Sequence, residues 1–191
     1  MAMPQAGPGE AELADLEQVW AGLDVPGHRV ELLDGCIVVS PSASRSHSRA
    51  VQWLIQSVID RVRDADWEFH TNLTLHVAAT RERLIPDLMI SPRDAPQFDE
   101  NELYGQGTLL VAEVTSPSSQ GRDRIAKVRA YAQAQVPLYL IIDLLAGPAA
   151  LTLFSGPDRD GYRRCDRAAA GQPLVLPEPF GIALDISTLP G

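Results

Sequence analysis

Three carboxylates lie inside apolar stretches of the sequence, where an acidic side chain is unusual. Glu31 is in Arg-Val-Glu-Leu-Leu, Asp87 in Leu-Ile-Pro-Asp-Leu-Met-Ile and Glu113 in Leu-Leu-Val-Ala-Glu-Val-Thr. A buried carboxylate is costly unless it is paired, hydrogen-bonded or bound to metal. For one such residue, an ion pair or a strand-end position is the common explanation. Three of them, on strands that can be neighbours, favour a site for a hard cation.

Two local features set the positions of Asp87 and Glu113. Pro86 precedes Asp87 and cannot donate a ladder hydrogen bond, so it marks an edge, a bulge or the start of a strand. Asp87 is therefore expected where a strand opens onto a loop. Glu113 and Thr115 share one face of their strand because side chains alternate along it.

Lys127 is the only lysine among the 16 basic residues of the chain; the others are arginines. This bias can come from a GC-rich genome, but it leaves one candidate for chemistry that needs an ammonium group. Lys127 follows Glu113 in the sequence, on the next predicted helix, and Arg124 and Tyr131 lie on the same helical side. The alternative interpretation of Lys127 is an ordinary exposed helix lysine.

The apolar spacing around these residues predicts the elements that carry them. Helical periodicity is present at residues 10–20, 44–63 and 122–135, with Ile125, Val128 and Ala132 of the last helix expected to face inward. A β-hairpin is expected over residues 28–40, with a tight turn at Asp34-Gly35. Further strands are expected at residues 67–77, 84–90, 108–115, 137–145, 149–154, 161–165 and 182–186, with a long loop at 91–107. This pattern predicts an α/β protein in which helices pack on a central mixed β-sheet.

Composition and charge exclude several classes of protein. The chain has 191 residues, of which 45% are hydrophobic, and this suits one domain at residues 10–191 after a flexible tail at 1–9. No stretch approaches the ~20 apolar residues of a membrane span, and the N-terminus lacks the features of a signal peptide. Cys36 and Cys165 cannot build a disulfide framework, which favours a cytoplasmic location. The formal charge of −9 argues against an overall basic coat for nucleic acid, but not against a local cationic groove.

Several short motifs, in their order and spacing, resemble one known family. They are Val30-Glu31-Leu32-Leu33-Asp34-Gly35, Pro41, His47, Pro86-Asp87, Val111-Ala112-Glu113-Val114-Thr115-Ser116-Pro117-Ser118-Ser119, Asp123-Arg124, Lys127, Tyr131 and Pro137-Leu138-Tyr139 to Asp143. From about His28 to its C-terminus the chain resembles the Uma-two family of restriction endonucleases, within the PD-(D/E)XK nuclease superfamily. The resemblance implies a restriction-endonuclease-like core and metal-dependent cleavage of DNA.

The resemblance also implies roles for the acidic residues. Asp87 and Glu113 would bind Mg²⁺ or Mn²⁺, and the carbonyl of Val114 would complete the protein ligands. Glu31 would orient a ligand water or act as a further ligand. Such an ion can supply a nucleophilic water and offset the charge that develops on the phosphate.

The catalytic lysine implied by the resemblance departs from the wider superfamily. There the lysine usually stands two residues after the glutamate, where this chain has Thr115; in the closer family the following helix supplies it, and Lys127 matches that position. An ammonium near the attacking water can lower the pKa of that water or stabilise the transition state. Arginine is a poor proton carrier because its pKa exceeds ~12.

Other residues are weaker candidates. The resemblance implies that His47 lies beside the cleft, in contact with phosphate or water, although a partly exposed helix histidine is an equal alternative. Arg124 and Tyr131 are candidate contacts for the substrate, and Arg124 is expected in a small basic patch or on a solvated helix face. His76 is expected at the surface or at a sheet edge.

Two alternatives to a DNA endonuclease stay open. One is a non-catalytic module that keeps the nuclease fold and binds protein or nucleic acid partners. The other is a metal-assisted phosphoester hydrolase with an RNA or small-molecule substrate. For the endonuclease, the need to cut two strands suggests a homodimer.

Overall fold

The computed structural model describes residues 10–117, 121, 124–169 and 171–189. The helices are α1 (Glu10–Ala21), α2 (Arg45–Asp64) and α3 (Ala126–Gln133). The strands are β1 (His28–Leu33), β2 (Cys36–Pro41), β3 (Trp67–His70), β4 (Thr74–Val77), β5 (Glu82–Leu84), β6 (Leu88–Pro92), β7 (Gln97–Asp99), β8 (Glu102–Tyr104), β9 (Leu110–Val114), β10 (Leu138–Asp143), β11 (Ala150–Pro157), β12 (Tyr162–Ala169), β13 (Leu174–Leu176) and β14 (Ile182–Leu184). Short 3₁₀ turns lie at Gly105–Gly107 and Ile186–Thr188.

The strands form two large mixed sheets. Sheet A has the order β2-β1-β5-β4-β8-β7 and sheet B the order β12-β11-β10-β9-β6-β3, while β13 and β14 pair separately. Each large sheet includes a parallel pair, β4 with β8 and β9 with β10, among antiparallel neighbours. The predicted α/β class with a mixed sheet and packed helices is confirmed, and the strands are divided between two sheets instead of one.

The first hairpin and the long helix form where their local sequence signals place them. Asp34 and Gly35 have φ of 54° and 68°, the positive values that a two-residue type I′ turn requires. Ser44 caps α2, because its side chain accepts a hydrogen bond from the backbone N–H of His47 at 3.3 Å. Both elements border the region where the three buried carboxylates meet.

The two faces of sheet B pack against different partners. The α2 face carries Leu110, Ala112 and Val114 of β9, which join the core beneath α2. On the opposite face, Val111 of β9 packs with Tyr131 of α3 and with residues of sheet A. Because side chains alternate along β9, Glu113 shares this second face with Val111 and lies between the two sheets.

Three expected segments differ from the structure. The single strand expected at 67–77 is wrong: β3 belongs to sheet B and β4 to sheet A, and the chain crosses between them near Asn72, whose φ is 65°. The run at 84–90 divides around Pro86 into β5 and β6, again in different sheets. The expected loop at 91–107 contains β7 and β8. Strands of three residues are too short to show a periodic pattern in the sequence. Whether such a segment forms a strand therefore depends on its pairing with other strands.

The third helix also differs from expectation. Ile125, expected to face inward, is 76% exposed and precedes the helix, which begins at Ala126. The expected start of this helix at residues 122–123 lies outside the described residues, as do the tail at 1–9 and the motif residues Ser118 and Ser119. Within the described ranges, no helix is long and apolar enough to cross a membrane.

Candidate active site

A pocket of about 250 Å³ lies where the first hairpin, the end of β9 and the start of α3 meet. It is lined by Arg29, Glu31, Ser40, Pro41, Ser42, Ala43, Ser44, His47, Asp87, Glu113, Val114, Ser116, Pro117 and Lys127. Most of the predicted site residues are therefore brought together on one cavity, although they come from both sheets and two helices. Tyr131 and Arg124 are not among the lining residues.

Lys127 is buried between two of the carboxylates. Its Nζ lies 2.7 Å from Oε1 of Glu113 and 3.0 Å from Oε1 of Glu31, and the residue is only 4% exposed. The interpretation of Lys127 as an exposed helix lysine is therefore wrong. One helical turn later, the hydroxyl of Tyr131 donates to the same Glu113 oxygen at 2.6 Å. Two groups on one side of α3 thus fix the Glu113 carboxylate.

Three groups contact the carboxylate of Asp87. Nη1 of Arg29 lies 2.6 Å from Oδ1, Nε2 of His47 lies 2.8 Å from Oδ2, and the backbone N–H of Val114 donates to Oδ2 at 2.8 Å. Burial alone would raise the pKa of Asp87, but His47, followed by the charge of Arg29 and the amide of Val114, lowers that pKa to about 2. Asp87 is therefore ionised at neutral pH.

Glu31 links the hairpin to the loop that carries Asp87. Its Oε1 accepts a hydrogen bond from the backbone N–H of Ile85 at 2.8 Å, in addition to the contact with Lys127. Pro86 follows Ile85 and interrupts the strand, so Asp87 stands just before β6 begins, as its sequence context predicts. Glu31 thereby positions both Lys127 and the segment that leads to Asp87.

The charges in the pocket are not balanced. Glu31, Asp87 and Glu113 supply three carboxylates, whereas Arg29 and Lys127 supply two permanent cations. Counted at their formal charges, these five groups carry one net negative charge. A cation that enters the pocket would therefore be attracted to it.

The donor set suits a hard divalent ion that keeps part of its water shell. Across the described residues, no group of three or more His, Cys, Asp or Glu side chains is arranged to hold a metal ion. An ion here would therefore depend on the carboxylates of Asp87 and Glu113, with the backbone carbonyl of Val114 and water completing its shell. Mg²⁺ is typically bound through only one or two carboxylates and retains several waters, so these residues fit it.

Arg124 and Tyr131 occupy positions that differ from those expected. Arg124 pairs with Asp143, a buried carboxylate that also accepts a hydrogen bond from Thr115 Oγ1 at 3.0 Å. Its guanidinium is therefore directed to Asp143 and not to the pocket. Tyr131 is completely buried behind Glu113, so it contacts that carboxylate instead of a bound substrate.

Arg29 is the charged pocket residue that was not predicted from the sequence. Its signal was present in the sequence, because Arg29 stands two residues before Glu31 and strand side chains at that spacing share a face. His47, whose position by the cleft was predicted, does line the pocket. The serine-containing segment 40–44 forms the rim beside it.

Comparison with known proteins agrees with this architecture. The model of the Uma2 family, described as "Putative restriction endonuclease", matches residues 11–187. "Uncharacterized protein sll1609" of Synechocystis sp. (strain ATCC 27184 / PCC 6803 / Kazusa) is 27% identical over 115 residues, which are 59% of this chain and 65% of that protein, just under two thirds.

A solved structure extends the likeness to the fold. It is the crystal structure of a putative nuclease belonging to DUF820 from Anabaena variabilis ATCC 29413, and it has a TM-score of 0.67 with 15% sequence identity. The match covers 93% of this chain and 96% of that chain, so the two share nearly their whole architecture. With the family match over residues 11–187, this chain belongs to the Uma2 family and has a restriction-endonuclease-like nuclease fold.

Proposed function

We propose that this protein is a metal-dependent endonuclease that hydrolyses phosphodiester bonds in DNA. The observation that carries the proposal is the convergence of Asp87, Glu113 and Lys127 on one pocket, with Glu31 against the lysine. Asp87 and Glu113, with the carbonyl of Val114, would hold Mg²⁺ or Mn²⁺. Bound there, the ion supplies a polarised water and offsets negative charge on the phosphate.

The protein groups around the ion have separate tasks. The Lys127 ammonium, held at 2.7 Å from Glu113 and 3.0 Å from Glu31, would orient the attacking water and stabilise the charge that develops on the phosphate. Tyr131 keeps Glu113 in one orientation through its 2.6 Å hydrogen bond. His47, which lines the pocket, would contact a phosphate oxygen or a water there.

A cleavage assay tests the proposal. Purified protein is incubated with supercoiled plasmid in Mg²⁺, Mn²⁺ or EDTA, and nicked and linear products are measured. We expect cleavage only with a divalent ion, and we expect Lys127→Met to reduce the rate by about 100-fold or more. Arg129→Met is the matched control, because it removes a cation from the same helix whose partner is the exposed Asp34. Cleavage by Lys127→Met at the wild-type rate would contradict the assigned role.

A non-catalytic module with the same fold is the second candidate. It is favoured by the formal charge of −9 and by the ion pairs that already engage Asp87 and Glu113. Calorimetric titration with Mn²⁺ separates the two functions. Saturable binding that is lost in Asp87→Ala supports the enzyme, whereas the absence of binding to the wild-type protein supports the module.

A further inference from the structure

Arg29 has no role in the proposed reaction, yet it contacts a proposed metal ligand. Its Nη1 lies 2.6 Å from Oδ1 of Asp87 and donates to the carbonyl of Ile85 at 3.2 Å. We propose that Arg29 is an exchangeable counter-ion: it neutralises Asp87 in the metal-free protein, and it binds a phosphate of the substrate when a divalent ion takes Asp87. The inference rests on the proposed function, because it requires a metal site at Asp87.

The contacts of Asp87 set up a competition for Oδ1. The other oxygen, Oδ2, already accepts from the Val114 amide and lies 2.8 Å from His47. Arg29 stands at Oδ1. A divalent ion bound to Asp87 would lie a few ångströms from this guanidinium, and two cations at that separation repel each other strongly in a partly buried site. Metal binding therefore displaces the guanidinium of Arg29 or weakens its contact.

The charge of the pocket indicates where the displaced guanidinium goes. At their formal charges Arg29, Glu31, Asp87, Glu113 and Lys127 sum to one net negative charge, and a divalent ion changes this to one net positive charge. One phosphodiester group then restores neutrality. A guanidinium offers two parallel donors that match two phosphate oxygens, and the Arg29 side chain, 21% exposed, already lines the cavity.

Removal of Arg29 changes the affinities for metal and for DNA in opposite directions if the exchange occurs, and in the same direction if the role of Arg29 is purely structural. If Arg29 only fastened the first hairpin to the Asp87 loop, its removal would loosen the pocket and weaken the binding of both metal and DNA. If Arg29 competes with the metal and then holds the phosphate, its removal strengthens metal binding and weakens DNA binding. Opposite signs therefore identify the exchange.

Two titrations on Arg29→Gln measure these signs. Mn²⁺ affinity is determined by calorimetry, and the affinity for a fluorescent DNA duplex by anisotropy in Ca²⁺, which also takes oxygen ligands. We expect Mn²⁺ to bind about tenfold more tightly, within the usual range of coupling between ligands, and DNA to bind roughly tenfold more weakly because a charged phosphate contact is lost. Arg93→Gln is the control, since it makes the same charge change at a pair with Asp66 and Glu68 outside the pocket.

Each outcome decides the matter. Weaker binding of both ligands, unchanged Mn²⁺ affinity or unchanged DNA affinity overturns the exchange while the proposed function stands. A wild-type protein that binds no Mn²⁺ overturns both. If Arg29→Gln does not fold, Arg29→Lys keeps the charge beside Asp87 without the two-donor fork: we expect weaker DNA binding with Mn²⁺ affinity near the wild-type value, and unchanged DNA binding overturns the proposal.

Discussion

Two largely buried clusters of charged side chains in this protein contain similar ion pairs but differ in what they can bind. The pocket cluster consists of Arg29, Glu31, Asp87, Glu113 and Lys127. The α1 cluster consists of Glu17, Arg81, Arg83, Glu102 and His76, and it joins helix α1 to sheet A. Both contain ion pairs as short as 2.6 Å between side chains with little solvent exposure.

The clusters differ in charge balance and in what surrounds them. In the α1 cluster two arginines face two glutamates. The guanidinium of Arg83 lies 5.7 Å from the ring centre of Trp20 and 5.2 Å from that of Phe98, and the rings of Phe98 and His76 are 4.3 Å apart. Aromatic contacts of this kind hold a cation in place. The pocket cluster instead has one more carboxylate than cations, and it borders a cavity. A site for a cation is therefore indicated by an excess of negative charge that a cavity makes accessible, more than by burial alone.

Removing one carboxylate from each cluster tests this difference most directly. Asp87→Asn keeps the size of the side chain but removes the charge that attracts a metal ion, so we expect the metal-dependent cleavage rate to fall by roughly a thousandfold or more. Glu102→Gln is the matched change in the α1 cluster, and we expect its cleavage rate per folded molecule to stay within a few-fold of wild type. Equal losses of cleavage rate in Asp87→Asn and Glu102→Gln would contradict the assignment of the metal site to the pocket cluster alone.

The second prediction is a variant of the α1 cluster that loses stability but keeps its cleavage rate. Arg83→Met leaves Glu17 and Glu102 without their shared cation and removes the contacts with two aromatic rings. Breaking a largely buried ion pair from one side costs about 3 kcal/mol of unfolding free energy, which urea denaturation measures. Below the unfolding transition the cleavage rate should be unchanged. A large loss of cleavage by folded Arg83→Met would place the α1 cluster in the active site.

The third prediction separates a positioning residue from the groups that line the pocket. Tyr131→Phe removes one buried hydrogen bond to Glu113, for which we expect a loss of about 1 kcal/mol in stability. Lys127 still holds Glu113, so the cleavage rate should fall by roughly tenfold, far less than for Asp87→Asn. The pH dependence of cleavage should keep its shape. Complete inactivation of a stably folded Tyr131→Phe would show that the hydroxyl takes part directly.

Much of the pocket cluster could be predicted because its signals are local. Glu31, Asp87 and Glu113 interrupt apolar strands, Pro86 marks the strand boundary, and the Asp34-Gly35 turn fixes the hairpin. That the Lys127 ammonium meets Glu113 and Glu31 could not be derived from spacing alone, because it depends on the phase of α3 and on how the two sheets face each other.

The α1 cluster lacked such signals. Arg83 stands in a three-residue strand, as does Glu102, and neither strand has the apolar length that would mark a charged residue as buried. His76, expected at the surface or an edge, is buried because β4 pairs on both sides, with β5 and β8. The division of residues 67–77 between the sheets creates this arrangement, and it depends on contacts distant in sequence.

The smallest expected effect is a change in the pH dependence of stability that His76 of the α1 cluster causes. Burial, then the positive charges of Arg83 and Arg81, lowers the pKa of His76 from 6.5 to about 4, while Asp99 acts in the opposite direction. Between these two pH values, His76 is protonated in the unfolded chain but not in the folded chain. The titration of His76 therefore lowers the unfolding free energy as pH falls from about 6.5 to about 4. Glu102, whose pKa is raised mainly by burial, contributes with the opposite sign. We therefore expect His76→Gln to flatten the decrease in unfolding free energy between pH 7 and pH 4, measured by urea denaturation. Parallel curves for the two proteins would show that His76 titrates alike in both states.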